Sequence, residues 1–338
     1  MKICVTGGMG FIGSHTIVEL IKDGHEPVIV DNLVNSDKEV LNRIKTITAK
    51  TVKFYEIDCR DEAKMDECFA NEKFDAIIHF AGLKSVGESV QKPKLYYDNN
   101  IGSSVVLIKM MKKHNVKNLI FSSSATVYGV PKHVPLVETD PIGVASNPYG
   151  QTKIEIEKLL VEESKKDPSL NIVLLRYFNP VGAHKSGIMG EDPKDIPNNL
   201  MPYITQTAVG RRECLTIFGN DYPTNDGTGI RDYIHVVDLA LGHVAALKAL
   251  KEKWGLKIYN LGTGKGTSVL ELVNAFMKAN NVEVKYKFGP RRSGDVATNY
   301  ANAEKAYLEL GWKAKYNIDD MCRDSYNWQK NNPNGYRK

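Results

Sequence analysis

The chain has 338 residues, of which 42% are hydrophobic and 25% are charged, as is typical of a folded globular protein and not of a disordered one. Its 45 basic and 40 acidic residues give a net charge of +5 with no long basic run, which argues against sequence-independent nucleic-acid binding and fits a small anionic substrate. Five cysteines without a C-x-x-C spacing argue against a disulfide framework or a zinc site. The N-terminal apolar run is too short for a signal peptide, and no apolar stretch is long enough to span a membrane. We therefore expect a cytoplasmic protein of two domains.

Short β-rich runs alternate with stretches of helix-like composition over the first 180 residues. The six predicted strands are 2–6, 27–31, 52–58, 74–80, 118–122 and 171–178. The helix-like stretches between them include 14–22, 63–70, 104–114 and 149–164. This alternation predicts βαβ units and hence an α/β fold with a Rossmann-type doubly wound parallel sheet.

The pattern changes after Pro180, where two stretches rich in glycine, proline and Asn/Asp, 182–199 and 219–229, are typical of loops. A βα-like piece at 233–250 and a late apolar run at 257–261 indicate that the chain returns to the sheet. We predict a Rossmann domain in residues 1–180 with a return around 233–262, and a smaller α/β substrate-binding domain in residues 181–338.

A glycine-rich motif follows the first predicted strand. Gly8-Met9-Gly10-Phe11-Ile12-Gly13 has the G-x-G-x-x-G spacing, preceded by Gly7, and it opens a predicted helix. Backbone without side chains can approach a pyrophosphate at a helix N-terminus, so this context predicts dinucleotide binding. Asp31 ends the second strand, where its carboxylate would accept hydrogen bonds from ribose hydroxyls and repel a 2′-phosphate. The predicted cofactor is therefore NAD and not NADP.

Polar residues follow the predicted strands and predict a ligand site, because ligands of open α/β sheets bind outside the carboxyl ends of the strands. One such residue is Ser124. Tyr149 and Lys153 form a Y-x-x-x-K motif at the start of a predicted helix, with Asn147 as its N-cap and Pro148 as its first residue. One helical turn separates Tyr149 from Lys153, and a nearby ammonium favours a phenolate that can act as a base. We predict that Tyr149, Lys153 and Ser124 are catalytic, with Ser124 passing the proton of the reacting hydroxyl to Tyr149.

These motifs together resemble the extended short-chain dehydrogenase/reductase family. The resemblance covers essentially the whole chain, and longer blocks at 80–89, 175–184 and 229–236 are similar to the UDP-glucose 4-epimerases of that family. The resemblance implies that Tyr149 takes the proton of the sugar 4-hydroxyl while C4 gives hydride to NAD. The 4-keto sugar then turns over and receives hydride on its other face. It also implies a tightly retained NAD, a UDP-hexose substrate, and a homodimer built from the segments 101–113 and 154–163.

The resemblance further implies two sets of binding residues. Those for NAD are Gly7, Gly10, Phe11, Ile12, Gly13, Asp31, Asn32, Asn35, Ser36, Asp58, Cys59, Phe80, Ala81, Gly82, Lys84, Asn99, Tyr149, Lys153 and Phe178. Those for the UDP-sugar are Ser124, Tyr149, Asn179, Asn199, Leu200, Ile217, Phe218, Arg231, Arg292, Asp295 and Asn299. Cys59 departs from the aliphatic residue that is commoner in the family. Asn299 departs from a bulky aromatic that closes the sugar pocket in some members, which implies that UDP-N-acetylhexosamines are also accepted.

Several alternatives stay open at this point. The chain could act on one sugar class alone, or it could be a catalytically idle NAD-binding sensor. A sugar 4,6-dehydratase shares the fold but needs a carboxylate pair just after the strand-end Ser or Thr, where this chain has Ala125 and Thr126. A metal hydrolase is disfavoured, because the eight histidines show neither H-x-x-x-H nor H-E-x-x-H spacing, and we expect no metal.

Overall fold

The computed structural model describes residues 1–194, 197–252, 255–292 and 294–337. Residues 195–196 of the predicted loop 182–199 and residues 253–254 of the predicted return lie outside this part of the chain. In the described residues the main sheet has seven parallel strands in the order β3-β2-β1-β4-β5-β6-β11. They are β1 (Lys2–Thr6), β2 (Glu26–Asp31), β3 (Lys53–Glu56), β4 (Ala76–His79), β5 (Asn118–Ser124), β6 (Asn171–Tyr177) and β11 (Leu256–Leu261). This arrangement confirms the predicted doubly wound parallel α/β sheet.

Helices cover both faces of this sheet. The α-helices of the described chain are α1 (Phe11–Lys22), α2 (Glu39–Thr48), α3 (Glu62–Glu72), α4 (Val86–Gln91), α5 (Pro93–Tyr96), α6 (Gly102–Lys113), α7 (Pro148–Lys166), α8 (Leu200–Ala208), α9 (Val236–Lys251), α10 (Val269–Asn280), α11 (Glu304–Leu310) and α12 (Ile318–Asn331). A π-helical turn, Tyr97–Ile101, precedes α6, and a 3-10 turn, Ala125–Tyr128, follows β5.

The alternation of side chains along each strand divides the core into two layers. Ile3 and Val5 of β1 join a cluster with α1, α2 and α9 on one face. Cys4, between them, joins a cluster with α3, α6 and α7 on the other. Because both faces are covered, these strands are nearly continuous apolar runs, which is the reason they could be recognised in the sequence.

The remaining strands form three small sheets. They are β7 (Asn179–Val181) with β10 (Tyr233–His235), β8 (Leu215–Phe218) with β13 (Tyr286–Gly289), and β9 (Ile230–Arg231) with β12 (Thr267–Ser268) and β14 (Thr298–Asn299). A third apolar cluster packs β8 against α8, α10 and α12. In the ranges that the structure describes, none of the helices has the length and apolarity needed to cross a bilayer.

Candidate functional site

The glycine-rich loop joins β1 to α1 at the centre of the sheet, where β2 and β4 flank β1 on opposite sides. Gly7 has φ +69°, and a Cβ on it would lie 2.7 Å from the backbone nitrogen of Ala81. A Cβ on Gly13 would lie 2.8 Å from the Cα of Gly8 and closer still to the carbonyl oxygen of Gly7. These two glycines therefore let the loop turn tightly and let α1 pack directly on it.

Helix α1 begins at Phe11, and no side chain in the described chain caps it with a hydrogen bond. The first N–H groups of a helix have no partner within the helix and carry its positive dipole end. Helix α1 therefore presents backbone hydrogen-bond donors at the carboxyl end of β1. Together with the glycine loop these donors form a cradle that fits the pyrophosphate of a dinucleotide.

Asp31 lies beside this cradle at the end of β2 and is buried. Its carboxylate accepts hydrogen bonds from the backbone nitrogens of Met9 (3.0 Å) and Leu33 (2.9 Å) and from the hydroxyl of Ser36 (2.9 Å). Burial raises the pKa of Asp31, although these three hydrogen bonds oppose the shift. The three hydrogen bonds fix the orientation of the carboxylate. A fixed orientation is what a residue needs if it is to position the hydroxyls of a ribose.

The other residues predicted to bind NAD follow the ends of β2 to β6. Asp58 forms a forked ion pair with Arg60, which lowers the pKa of Asp58 to about 2, and Asn32 donates to the same carboxylate at 3.4 Å. Cys59 is buried, so a cofactor at this position would meet its backbone. The rest lie as follows: Asn35 and Ser36 in the loop after β2; Phe80, Ala81, Gly82 and Lys84 after β4; Asn99 in the π-helical turn; and Phe178, buried, after β6.

Lys84 is tied to the second part of the chain. Its ammonium donates to Oε1 of Glu191 (3.1 Å), and the same oxygen accepts from Nδ2 of Asn199 (2.8 Å). A residue predicted to bind NAD and one predicted to bind the UDP-sugar thus share a carboxylate that the sequence did not single out.

Helix α7 positions Tyr149 and Lys153. Asn147 caps it by accepting from the backbone nitrogen of Gly150 (2.8 Å), and Pro148 is its first residue, as predicted. Lys153 is buried, and its Nζ donates to the carbonyl oxygen of Ser122 (2.6 Å) and lies 6.0 Å from the ring centroid of Tyr149. Burial lowers the pKa of Lys153 to about 8, with Glu157 opposing the shift.

Ser124 ends β5 opposite Tyr177 of β6. Burial raises the pKa of the Tyr149 hydroxyl, and a hydrogen bond with Ser124 opposes that shift. The structure therefore brings Ser124, Tyr149 and Lys153 together at the carboxyl end of the sheet. Such a group can exchange a proton with a bound hydroxyl.

A buried ion pair that was not predicted from the sequence connects α7 to β6. The guanidinium of Arg176 on β6 meets the carboxylate of Glu157 through Nη2 (2.7 Å) and Nε (3.0 Å), and Ser123 donates to the same carboxylate. The only sequence signal was the position of Glu157, four residues after Lys153 on the same helix face.

A second group of residues lies in the later part of the chain. Arg292 makes a forked contact with Asp295, through Nε (2.9 Å) and Nη2 (3.2 Å), and its guanidinium carbon lies 5.5 Å from the ring centroid of Phe218. Nη2 of Arg231 lies 3.9 Å from Oδ1 of Asp295. Two arginines, a carboxylate and a half-exposed aromatic ring thus converge, as a nucleoside diphosphate would require.

Asn299 adjoins this group, since β14 pairs it with Arg231 of β9. Its side-chain oxygen is buried and has no hydrogen-bond partner among the described residues. Asn199 and Leu200 lie at the start of α8, and Asn179 is exposed at the start of β7. The side chain of Ile217 lies inside the third apolar cluster, so its backbone is the part that can face a ligand.

The residues after Ser124 bear on the dehydratase alternative. Ala125 is buried and Thr126 follows it in the 3-10 turn, with no carboxylate at either position. The pair that would remove water from C5 and C6 is therefore not present at the place where it is needed.

Comparison with known proteins agrees with this geometry. A family model described as GDP-mannose 4,6 dehydratase matches residues 4–325. The chain is 56% identical to a UDP-glucose 4-epimerase of Dictyostelium discoideum, over 99% of this chain and 97% of that protein.

Two solved structures are similar. A UDP-glucose 4-epimerase from Bifidobacterium longum, in complex with NAD+ and UDP, has a TM-score of 0.97 at 56% identity and covers 99% of this chain and 100% of that one. A UDP-Glc/GlcNAc 4-epimerase from Campylobacter jejuni has a TM-score of 0.84 at 37% identity and covers 98% of this chain and 99% of that one. The chain belongs to the UDP-glucose 4-epimerase family, whose members are NAD-dependent isomerases.

Proposed function

We propose that this protein interconverts UDP-galactose and UDP-glucose by transient oxidation at C4, with Ser124, Tyr149 and Lys153 as its catalytic residues. The observation that carries the proposal is the buried ammonium of Lys153, which lies 6.0 Å from the ring centroid of Tyr149, with Ser124 near enough to oppose the rise in the pKa of that phenol. A phenol in this setting can take a proton from a hydroxyl and later return it.

The cofactor would lie along the carboxyl ends of β1 to β6. Gly7, Gly10 and the first turn of α1 would hold the pyrophosphate, and Asp31 would accept from the adenosine ribose. When bound, NAD supplies the hydride acceptor for C4 and the donor for the return step. The other residues predicted from the sequence to bind NAD would complete the cofactor site.

Tyr149 would accept the 4-hydroxyl proton through Ser124, and the positive charge of Lys153 would stabilise the resulting phenolate. The same phenol would return the proton once hydride has come back to the opposite face of the sugar. Because the keto sugar must turn over between these steps, the nucleotide has to be the anchor and the sugar has to be held loosely.

The anchor would be the group around Phe218. Arg231 and Arg292 would bind the diphosphate, Asp295 would accept from the uridine ribose, and Phe218 would flank the base. Asn179, Asn199, Leu200 and the backbone at Ile217 would complete the UDP-sugar pocket. Forked arginines suit phosphate oxygens, which supports this assignment.

We also propose that UDP-N-acetylhexosamines are substrates. Asn299 is smaller than the aromatic residue of some relatives, and its buried side-chain oxygen has no described partner. The N–H of an acetamido group would donate a hydrogen bond to this oxygen. A buried acceptor without a donor is unfavourable, so the N-acetyl group would satisfy it.

We also propose that the chain has two domains. An NAD-binding domain covers residues 1–180 with a return around 233–262, and a UDP-sugar-binding domain covers residues 181–338. The support for this division is that β11 pairs with β6 in the main sheet and α9 packs against α1. The cytoplasmic location is likewise proposed, because the five cysteines are all free, as in a reducing compartment.

Proton NMR of the purified protein tests the function. UDP-galactose and UDP-GalNAc are supplied together without added NAD. We expect the anomeric signals of UDP-glucose and UDP-GlcNAc, since the cofactor is retained. UDP-glucose alone would restrict the enzyme to plain hexoses. If no product forms even after NAD is added, the epimerase proposal is wrong and the idle sensor is favoured.

A homodimer is proposed through α6 and α7. Val105 on α6 is 37% exposed, and the segments just before α6 also expose the apolar side chains of Val90, Leu95 and Tyr97. In sedimentation experiments we expect a dimer that Val105→Glu converts to monomer. Leu308→Glu, on the 72% exposed side chain of α11, is the matched control and should stay dimeric. A monomeric wild type would contradict the proposal.

A further inference from the structure

A cationic cavity is lined by residues outside the sets proposed for NAD and UDP-sugar, although one of them, Lys194, interacts electrostatically with Asp31. It has a volume of about 300 Å³, and its charged lining residues are Lys194, Arg211, Arg212 and Arg337. Its remaining lining residues in the described chain are uncharged, including Gln206 and Asn334. The cavity thus presents four positive charges to its interior, and none of its lining residues belongs to either predicted binding set.

One arginine is held in place before any ligand arrives. Nε of Arg212 donates to Oε1 of Gln206 (2.7 Å), and its guanidinium carbon lies 4.7 Å from the ring centroid of Tyr203. Both partners come from α8. The terminal nitrogens of a guanidinium fixed through Nε remain able to bind an anion, so little side-chain entropy is lost on binding.

The opposite wall is also fixed. Tyr336 is buried, its backbone nitrogen donates to Asp192 (2.9 Å), and its hydroxyl donates to the carbonyl oxygen of Gly190 (3.0 Å). These bonds hold the C-terminal tail, with Asn334 and Arg337, against the loop that carries Lys194. The cavity is therefore bounded by anchored segments from three parts of the chain.

Nearby negative charge is limited. Asp192 interacts electrostatically with Arg211 and Arg337, but its carboxylate is already engaged by the backbone of Tyr336, and Asp37 lies near it as well. Lys194 donates to the carbonyl oxygen of Leu33 (2.5 Å), a neutral acceptor, and it interacts electrostatically with Asp31, whose carboxylate already accepts three hydrogen bonds. None of the four cations forms a salt bridge with a carboxylate within the described ranges.

We propose that this cavity is a second anion-binding site, for a small ligand that carries two or more phosphate groups. Four clustered cations without carboxylate partners repel one another, and a bound anion would relieve this repulsion. Arginine forks match phosphate oxygens, and the volume accommodates a diphosphate. Either inorganic pyrophosphate or the diphosphate end of a free nucleotide supplies this chemistry.

Calorimetric titration of the NAD-containing enzyme with pyrophosphate tests the proposal. Arg211→Glu/Arg337→Glu removes the site, Arg292→Ala weakens the proposed UDP-sugar site, and Lys50→Glu/Lys313→Glu is a matched double charge reversal outside the cavity. We expect binding to persist in Arg292→Ala and Lys50→Glu/Lys313→Glu and to weaken at least tenfold in Arg211→Glu/Arg337→Glu. Arg211→Glu/Arg337→Glu should keep its epimerase activity within about twofold of wild type, because neither Arg211 nor Arg337 belongs to the proposed catalytic or UDP-sugar sites.

Unchanged binding in Arg211→Glu/Arg337→Glu, binding lost in Arg292→Ala, or no binding to the wild type would each overturn the proposal. If the double variant does not fold, Arg211→Gln and Arg337→Gln, tested singly, should each weaken binding severalfold, and unchanged binding in both would overturn it. A parallel titration with ADP distinguishes the ligands. Tighter binding of ADP than of pyrophosphate assigns the site to a nucleotide, and equal binding assigns it to the diphosphate alone.

Discussion

Single side chains decide the proposed chemistry, and Tyr149 is the most direct case. The half-buried phenol lies near Ser124, with the buried ammonium of Lys153 6.0 Å from its ring, where a charged neighbour acts more strongly than in open water. This pairing follows from one helical turn, a common spacing that becomes informative because the glycine motif and the strand-end Ser124 precede it. The proposed substrate specificity, by contrast, depends on Asn299, whose environment no local spacing reveals.

Tyr149→Phe removes the proton acceptor and leaves the ring in place. We expect kcat to fall by roughly 10²- to 10⁴-fold, the usual contribution of a positioned acid–base group, while bound NAD is retained. Steady-state kinetics and the absorbance of the released cofactor check both parts. Tyr307→Phe, at an exposed position, is the control and should leave kcat unchanged. A fall of less than about threefold would remove Tyr149 from the mechanism.

Asn299→Tyr fills the space that we assign to the acetamido group. Turnover of UDP-GlcNAc should disappear while that of UDP-glucose is spared, because the added ring collides only with the N-acetyl substituent. Parallel assays of the two substrates measure this split. Equal loss of both activities would show that Asn299 does not determine specificity.

At the scale of single elements, the contact between α1 and the glycine loop places the predicted cofactor site. Gly13→Ala would put a methyl group against the backbone of Gly7 and Gly8, which cannot yield as a side chain can. We expect destabilisation of about 1–3 kcal/mol from overpacking, together with loss of retained NAD. Thermal unfolding and the cofactor content of the purified protein report these effects.

Gly87→Ala is the matched control for this prediction. Gly87 lies in α4, and among the described residues, apart from its chain neighbours and the backbone of its own helix, no atom lies within 4 Å of a Cβ placed on it. Because alanine is a better helix former than glycine, the Gly87→Ala variant should be as stable as wild type or slightly more stable. If Gly13→Ala retains NAD as well as Gly87→Ala does, the close packing of α1 is not what forms the cradle.

At the scale of the whole molecule, a charge cluster ties together elements that are distant in the sequence. Glu72 at the end of α3 is buried and forms ion pairs with Lys2 of β1 (2.6 Å) and with Lys53 of β3, and it accepts from the hydroxyl of Tyr55. Burial opposes ionisation of Glu72, but the hydrogen bonds from Lys2, Lys53 and Tyr55 outweigh it and lower its pKa to about 2.

A carboxylate whose pKa is lowered in the folded state stabilises the fold above its unfolded pKa and ceases to do so as the pH falls through its folded pKa. Glu72→Gln should therefore lower the melting temperature at pH 7, and the difference from wild type should narrow as the pH falls from about 5 towards 2. Melting curves at pH 7, 5, 4 and 3 test this. Glu56→Gln, which removes an exposed partner of Lys38, should change the melting temperature little. A difference independent of pH would contradict this assignment.

Most of the sheet could be predicted because its strands are buried on both faces and read as apolar runs of the right length. The glycine loop, Asp31 and the Tyr149–Lys153 pair could be predicted for a related reason. Each depends on strand ends or on one helical turn, which are local properties of the backbone. The resemblance to a known family added the more distant residues, position by position.

The sequence by itself therefore determined the fold class, the cofactor cradle and the proposed catalytic pair. Only the tertiary structure brought Arg231 and Phe218 to Arg292 and Asp295, joined Lys84 to Asn199 through Glu191, and assembled the cationic cavity. These contacts join residues far apart in the chain. No periodicity of the backbone encodes them, and they form only when the packed layers hold separate loops side by side.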